Sequence, residues 1–169
     1  MHSDVTAAQG RSSIDGGPPP ARYKTPVLVV DDQANMVRMI RRVLRDLGFA
    51  DVSEAHDGRA ALAVLEARPH GLVISDLKME PMDGLALLRA IRAHERLASL
   101  PFLMLTGVSD RDRILAAKAA GVSDYMVKPF TVLTLKRKIE KLLTAPAPNS
   151  NAASAGPEDG TATEGDRQC

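Results

Sequence analysis

The sequence has few of the residues from which several common kinds of site are built. It contains one cysteine, Cys169, so neither a disulfide within the chain nor a cysteine metal cluster can form. Tryptophan is absent and aromatic residues make up only 3% of the chain, although 44% of its residues are hydrophobic. A folded core must therefore consist mainly of aliphatic side chains.

Long apolar runs and a strong net charge are also missing. No apolar stretch approaches the roughly 20 residues that a membrane-spanning helix needs, and the N-terminal residues lack the apolar core of a secretion signal. The formal net charge of +1 gives no general reason to expect binding to nucleic acid or to a membrane surface. We therefore predict a cytoplasmic protein with no membrane insertion and no direct nucleic-acid partner.

The sequence does contain a series of short apolar runs, each followed at once by polar residues. The runs are Val27–Val30 before Asp31 and Asp32, Leu72–Ile74 before Ser75 and Asp76, Phe102–Leu105 before Thr106 and Gly107, and Tyr125–Val127 before Lys128. Runs of this length, bounded by turn residues, indicate buried strands of a parallel sheet. Reactive groups in doubly wound sheets lie just beyond the carboxyl ends of the strands, so we expect three carboxylates and one amine at one edge.

Segments with helical periodicity lie between these strands. The first is predicted from Ala34 to Leu47, with a buried stripe of Met36, Ile40, Val43 and Leu47. A short strand is predicted at Val52–Ala55, and a second helix over 60–67. The third helix is predicted over 84–94, with Leu85, Leu88 and Ile91 facing inward. The fourth runs from an N-cap at Asp110 to Gly121, and the fifth from an N-cap at Thr131 to Leu143, with Leu135, Ile139 and Leu142 facing inward. Five strands alternating with five helices predict an α/β fold with a doubly wound parallel sheet.

The two ends of the chain differ from its centre in composition. Residues 1–23 are small and polar and include a run of glycine and proline, and residues 144–169 contain no valine, isoleucine, leucine, methionine or aromatic residue. Segments of this kind cannot bury enough apolar surface to fold alone. We predict a disordered leader over 1–23, a single folded domain over 24–143 and a disordered tail over 144–169.

The predicted cluster of carboxylates suggests a metal-assisted chemistry. Three ionised carboxylates at one edge repel one another, and a hard divalent cation such as Mg²⁺, which prefers oxygen ligands, relieves that repulsion. No histidine or cysteine lies among these residues, which argues against zinc. A carboxylate is also a nucleophile toward phosphorus, and a nearby ammonium stabilises the phosphoryl oxygens.

Five short motifs in this order resemble those of response-regulator receiver domains, in particular CheY-like single-domain regulators. They are Val-Val-Asp-Asp at 29–32, Ile-Ser-Asp at 74–76, Pro-Met-Asp-Gly at 81–84, Leu-Thr-Gly at 105–107 and Lys-Pro-Phe at 128–130. The resemblance extends from about Lys24 to Leu143. It implies a flavodoxin-like sheet with strand order 2-1-3-4-5. It also implies that the protein is a phosphorylation switch of a two-component system and not an enzyme in the usual sense.

The resemblance assigns roles to the polar residues at the strand ends. It implies that Asp76 accepts the phosphoryl group from a sensor histidine kinase. It implies that Asp32 and Asp76 bind Mg²⁺ directly, that Asp31 acts through water, and that the backbone carbonyl of Lys78 is a further ligand. Thr106 and Lys128 would contact the phosphoryl oxygens.

The resemblance also implies an output surface at which phosphorylation is detected. In such proteins Tyr125 would turn inward when Thr106 moves toward the phosphoryl group. We call the surrounding surface of the fourth helix, fifth strand and fifth helix the output face; its predicted residues are Arg111, Ile114, Lys118, Tyr125, Lys138 and Lys141. The corresponding surface of chemotaxis regulators binds a flagellar switch protein, which makes chemotaxis the favoured output.

Two positions depart from the pattern of the regulators that the chain resembles most. Lys78 stands where they usually carry asparagine, and Val108 stands where they carry an acid. Both positions border the phosphoryl site, so the lifetime of the phosphorylated form is left open.

Other functions remain to be weighed against a chemotaxis switch. A phosphorelay intermediate that passes its phosphoryl group to a histidine phosphotransfer protein would have the same motifs. An aspartyl-phosphate hydrolase would need an Asp-x-Asp motif after the first strand, whereas here Asp31 and Asp32 are adjacent. A nucleotide-binding module would need a glycine-rich loop at that point, and none is present.

Overall fold

The computed structural model describes residues 24–144, which form a five-stranded parallel sheet flanked by five helices. The strands are β1 (Val27–Val30), β2 (Val52–Ala55), β3 (Leu72–Asp76), β4 (Phe102–Thr106) and β5 (Asp124–Val127). The helices are α1 (Ala34–Asp46), α2 (Gly58–Ala67), α3 (Gly84–Ala93), α4 (Arg111–Ala119) and α5 (Val132–Thr144). The predicted alternation of strands and helices is confirmed.

The order of the strands places the first and third next to each other at the centre of the sheet. The order is β2-β1-β3-β4-β5, and every pair is parallel, as predicted. In the register of β1 with β3, Val30 lies opposite Ser75. The residues that directly follow, Asp31 and Asp76, therefore leave the sheet side by side.

Side chains that alternate along each strand divide the core into two layers. One layer joins Val27 and Val29 of β1 to buried residues of α1 and α5, and the other joins Leu28 and Val30 to α2, α3 and α4. Nearly all of these residues are aliphatic, as the scarcity of aromatic residues predicts. Each central strand is buried on both faces, so its sequence is a continuous apolar run.

The buried stripe of α1 differs in part from the prediction. Ile40 and Val43 are buried as expected, but Val37 and Leu44 complete the stripe, whereas Met36 and Leu47 are only partly buried. Both sets have helical spacing and share two residues, so the rotation of the helix against β1 selects between them. In α3, Leu88 and Ile91 are buried as predicted, but the third buried leucine is Leu87 and not Leu85. In α5, the buried residues are the predicted ones, Leu135, Ile139 and Leu142.

Local hydrogen bonds explain where the helices begin and end. The Asp57 carboxylate accepts from the backbone amides of Arg59 and Ala60 at 2.7 and 2.9 Å, so α2 begins at Gly58, two residues before the predicted start. Thr131 accepts from the Thr134 amide at 3.1 Å, which confirms the predicted cap of α5. At the end of α1, Gly48 has a φ of 91°, a conformation that favours glycine and stops the helix.

The predicted leader and the predicted tail, apart from Thr144 at the end of α5, lie outside the described residues. Between residues 24 and 144, no helix has the length and apolar character needed to cross a membrane.

Candidate functional site

Three carboxylates meet at the carboxyl edge of the sheet. Asp31 and Asp32 follow β1, Asp76 is the last residue of β3, and one ligand oxygen from each lies within 4.8 Å of the others. Asp31 and Asp76 are buried, whereas Asp32 is exposed to solvent. The sequence prediction that these three side chains share one edge agrees with this arrangement.

Lys128 reaches this cluster from the far side of β4. Its backbone amide donates to the Thr106 carbonyl at 2.7 Å, which fixes the start of the loop after β5. Its Nζ lies 2.8 Å from Asp76 Oδ1 and 3.3 Å from Asp31 Oδ2. One ammonium is therefore shared between two buried carboxylates, and the peptide bond between Lys128 and Pro129 is cis.

Burial and charge act in opposite directions on the ionisable groups of the cluster. Burial raises the pKa of Asp31 above its ordinary 3.8, against the lowering effects of the Gln33 amide and of Lys128. Burial alone would lower the pKa of Lys128, but its hydrogen bond to Asp76 and the charges of Asp76 and Asp31 raise it above 10.5. The ammonium is therefore held in its charged form beside the carboxylates.

The charge and chemistry of the cluster fit a hard divalent cation. Three ionised carboxylates and one ammonium leave a formal excess of two negative charges, which a divalent cation neutralises. All of the donors are oxygens, the type that Mg²⁺ prefers. The backbone carbonyl of Lys78 remains a predicted ligand. The backbone amide of the same residue donates a hydrogen bond to Asp76 Oδ2 at 3.1 Å, so the Lys78 backbone lies beside the cluster.

The loop after Asp76 is packed directly against the end of β3. The Leu77 amide donates to the Leu105 carbonyl at 2.8 Å, and the Gly84 amide donates to the Leu77 carbonyl at 3.0 Å. A Cβ at Gly84 would lie 2.1 Å from the carbonyl oxygen of Asp76. Only glycine allows the start of α3 to approach the end of β3 this closely.

The hydroxyl of Thr106 donates a hydrogen bond to Asp110, a residue that the sequence predicts as a helix cap. Thr106 is fully buried at the end of β4, and its Oγ1 donates to Asp110 Oδ2 at 3.3 Å. The same oxygen accepts from the Gly107 amide at 2.9 Å, and Asp110 Oδ1 lies 2.7 Å from Lys78 Nζ. The hydrogen bond from Lys78, followed by the Gly107 amide and Thr106 hydroxyl, lowers the pKa of Asp110 despite the opposing effect of burial.

The prediction that the Asp110 side chain caps α4 is therefore wrong. Asp110 does precede α4, but its side chain makes no capping hydrogen bond to that helix. The carboxylate turns toward Thr106 and Lys78 because an ammonium and a buried hydroxyl are available there. The signal in the sequence was an acid four residues after Thr106 together with an unusual lysine two residues after Asp76.

A wide groove opens beside the carboxylates. It has a volume of about 930 Å³, and its lining includes Asp32, Lys78, Arg59, Met82 and Arg113. Arg113 of α4 pairs with Asp83 at 3.1 Å across the groove. The groove is therefore lined by charges of both signs, since Glu80 and Asp83 also border it.

The predicted output face contains a tyrosine between two ammonium groups. Lys118 of α4 and Lys138 of α5 lie 5.1 and 5.8 Å from the centre of the half-buried Tyr125 ring, within range of cation–π attraction. Lys138 also pairs with Asp124 at 2.6 Å, and Lys141 lies 3.5 Å from the same carboxylate. Burial raises the pKa of Asp124, but Lys138 and the Tyr125 amide lower it by more, so the net change is a decrease.

The remaining output-face residues lie on α4, and the sheet connects this face with the acidic edge. Arg111 is exposed and Ile114 is partly buried. Tyr125 lies opposite Met104 of β4, two residues before Thr106. Since side chains two residues apart in a strand point to the same side of the sheet, Met104 and Thr106 share the side on which α4 packs.

Comparison with known proteins gives a consistent result. A family model described as the response regulator receiver domain matches residues 27–140, a range that includes all five strands. The chemotaxis protein CheY of Pseudomonas aeruginosa is 49% identical over 116 residues, which cover 69% of this chain and 94% of that protein.

Solved structures agree with the sequence comparison. The chemotaxis response regulator CheY4 of Vibrio cholerae is similar with a TM-score of 0.65 at 33% identity, covering 70% of this chain and 98% of that one. The receiver domain of a sensor histidine kinase from Pseudomonas aeruginosa has a TM-score of 0.65 at 28% identity, covering 72% and 98% of the two chains. That structure contains a magnesium ion coordinated in its active site cleft.

Proposed function

Since the chain belongs to the response regulator receiver family, we propose that it is a phosphorylation switch whose acceptor is Asp76. The observation that carries this proposal is the contact of Asp76 with Lys128 at 2.8 Å, beside two further carboxylates at the carboxyl edge of the sheet. The donor would be the phosphorylated histidine of a sensor kinase. The protein would act by changing its binding to another protein.

The residues of the site have distinct tasks in the proposed transfer. A carboxylate oxygen of Asp76 attacks phosphorus and forms a new O–P bond, while the P–N bond to the kinase histidine breaks and its electron pair leaves with the histidine nitrogen. Lys128 stays beside Asp76 and pairs with the phosphoryl oxygens. Thr106 supplies a hydroxyl hydrogen bond after it leaves Asp110.

We further propose that Mg²⁺ is the cofactor of this reaction. Asp32, Asp76 and the Lys78 carbonyl would hold the ion, with Asp31 acting through water. When bound, the ion supplies positive charge that stabilises the transferring phosphoryl oxygens. The three clustered carboxylates and their excess of two negative charges support this assignment.

Intact mass spectrometry after incubation with acetyl phosphate and Mg²⁺ tests the proposal. We expect one phosphoryl adduct on the wild-type protein and none on Asp76→Asn, because the amide of asparagine is not a nucleophile for this reaction. The adduct should also disappear in EDTA. Asp112→Asn is a matched control, because this exposed carboxylate lies outside the acidic cluster, and it should gain the adduct normally. An adduct that persists on Asp76→Asn would overturn the assignment.

The output is proposed to be of the chemotaxis type, acting through the output face on a flagellar switch protein. The names of the similar chemotaxis proteins support this choice, as do the basic residues around the half-buried Tyr125. A phosphoryl group on Asp76 would draw Thr106 toward it, and the space behind Thr106 would accept Tyr125. Lys118 and Lys138 would then lose their shared aromatic partner, and the exposed Lys118 would become available to an acidic partner.

Charge reversal on the output face tests whether the protein binds a flagellar switch protein through this face. With the beryllofluoride mimic bound, we expect Lys118→Glu to weaken binding to the flagellar switch protein about tenfold or more, since one favourable charge becomes repulsive. Arg42→Glu reverses an exposed charge on α1, which is not part of the output face, and should leave the affinity unchanged. Calorimetric titration measures both. If the wild-type protein binds no switch protein but transfers phosphate to a histidine phosphotransfer protein, the relay is the correct alternative.

A further inference from the structure

Lys78, two residues after Asp76, carries a second ammonium, and a single buried carboxylate holds it. Asp110 binds Lys78 Nζ at 2.7 Å and, through its other oxygen, the Thr106 hydroxyl at 3.3 Å and the Gly107 amide at 2.9 Å. We refer to these four residues as the Asp110 clamp. The clamp joins the loop after β3 to the loop after β4.

We propose that Asp110 is a positioning residue that holds Lys78 and Thr106 in the unphosphorylated state and releases both to the phosphoryl group on Asp76. This inference rests on the proposed phosphorylation of Asp76. It assigns to Asp110 a part in setting the balance between the resting and the activated forms, and it gives the unusual Lys78 a defined partner in each form.

Exposure shows which partner of the clamp is free to move. The side chain of Asp110 is 6% exposed, whereas that of Lys78 is 60% exposed. The backbone of Lys78 is fixed near the acceptor, since its amide donates to Asp76 Oδ2 at 3.1 Å. Rotation of the flexible lysine side chain therefore suffices to carry the ammonium from Asp110 to a group on Asp76.

The charges of the site supply a reason for the exchange. With a divalent cation bound, the three carboxylates and Lys128 are formally neutral, and the Asp110–Lys78 pair is neutral by itself. Phosphorylation replaces the single charge of Asp76 by about two negative charges, so the site gains an unbalanced negative charge. Among the contacts described for these residues, Lys78 supplies the second ammonium, on a residue whose backbone amide contacts Asp76.

The exchange also has a consequence for α4. Asp110 directly precedes this helix, and the Ile114 amide donates to its backbone carbonyl at 2.9 Å. A buried carboxylate that loses its ammonium is costly to keep out of water. Release of Lys78 and Thr106 should therefore favour exposure of Asp110 and movement of the first turn of α4, which carries two residues of the output face.

Two affinities that change in opposite directions test the clamp in the full-length chain. Asp110→Asn keeps the shape of the side chain but removes the charge that holds Lys78. The freed ammonium should approach the acidic cluster and weaken Mg²⁺ binding several-fold. At saturating Mg²⁺ it should strengthen beryllofluoride binding about tenfold, since the cost of breaking the clamp is gone. Damage to the fold alone would weaken both affinities.

Removal of the lysine completes a double-mutant cycle. Lys78→Met removes the ammonium that would pair with the mimic, so it should weaken beryllofluoride binding severalfold. Because it also leaves the buried Asp110 carboxylate without its ion pair, its free energy of unfolding is measured alongside. In this background Asp110→Asn should change the beryllofluoride affinity less than twofold, whereas Asp112→Asn should have no effect in either background.

Each outcome of the cycle has a definite meaning. An Asp110→Asn effect that is equally large with Met at position 78 would show that Asp110 does not act through Lys78, and would overturn the proposal. If Asp110→Asn fails to fold, an unchanged or stronger affinity for the mimic in Lys78→Met would overturn it instead. If the wild-type protein binds beryllofluoride and the variants bind it with the same affinity, the clamp is overturned but the proposed function is not. Wild-type protein that neither binds the mimic nor gains a phosphoryl adduct overturns the proposed function as well.

Discussion

Replacing Lys128 with methionine is expected to lower the free energy of unfolding of the metal-free protein by about 3 kcal/mol at neutral pH. Lys128 is the ammonium shared by Asp76 and Asp31, and only 22% of its side chain is exposed. Without it, two buried carboxylates would face each other and Asp32 with no compensating charge. Such an uncompensated charge costs more than the ion pair contributes, because water cannot replace the lost partner.

Mg²⁺ should reverse much of this loss. The formal negative charge of the cluster increases from two to three in Lys128→Met, so the metal binds more tightly than it does to the wild type. Urea denaturation with and without Mg²⁺ measures both effects. Lys141→Met provides a control, since this lysine is 75% exposed and lies 3.5 Å from Asp124, and its loss should cost less than about 0.5 kcal/mol.

The pH dependence of the same variant has a definite sign. Burial already raises the pKa of Asp31 in the wild type, and removal of Lys128 raises it further. A group whose pKa is higher in the folded state lowers stability as the pH rises from its unfolded pKa through the raised value, and the cost is complete above that value. The deficit of Lys128→Met should therefore shrink as the pH falls toward 3.8. A deficit that is the same at pH 4 and pH 8, with or without Mg²⁺, would contradict this account.

Much of the acidic edge is predictable because strand ends are easy to recognise in this sequence. Each central strand is buried on both faces and is therefore a continuous apolar run, so the first polar residue marks the carboxyl end. Asp31 and Thr106 are located in this way, and Asp76 follows one residue after Ser75, the first polar residue of its run. Their proximity across the sheet followed from the strand order, which came from the resemblance to receiver domains and not from periodicity.

Features that depend on the rotation of a helix were less predictable. The stripes that contain Met36 or Val37 have almost the same helical spacing, and only the packing of α1 against the sheet selects Val37. The Asp110 clamp was missed for a related reason. A carboxylate before a helix has the local signature of a cap, and its true partner, Lys78, is 32 residues away in the sequence and reaches it only in the folded chain.

Gly84 shows a case in which sequence propensity and structure predict opposite results. It is the first residue of α3, and alanine in a helix is more favourable than glycine by up to about 1 kcal/mol. No left-handed backbone conformation requires glycine here, because among the described residues only Gly48 and Gly121 have a positive φ. Propensity alone therefore predicts that Gly84→Ala is neutral or stabilising.

The packing of α3 against the end of β3 predicts the reverse. The alanine Cβ would lie 2.1 Å from the Asp76 carbonyl oxygen and 3.1 Å from both the Asp76 carbonyl carbon and the Leu77 Cα. These are backbone atoms of a buried strand, so no flexible side chain can move aside. We expect Gly84→Ala to lower the free energy of unfolding by about 3 kcal/mol or more, measured by urea denaturation.

The displacement should also be visible at the site, because the clashing atom belongs to Asp76, a member of the carboxylate cluster. A shift of the Asp76 backbone would move its carboxylate relative to Lys128, so Mg²⁺ affinity should fall along with stability. Gly58→Ala is the matched control: Gly58 is also the first residue of a helix, but its Cβ would meet only atoms of the flexible Met82 side chain, at 2.7 to 3.0 Å, and the change should cost less than about 1 kcal/mol. Equal stability of the two variants would mean that α3 can retreat from β3 at little cost. The close packing of α3 would then not be what fixes the position of Asp76.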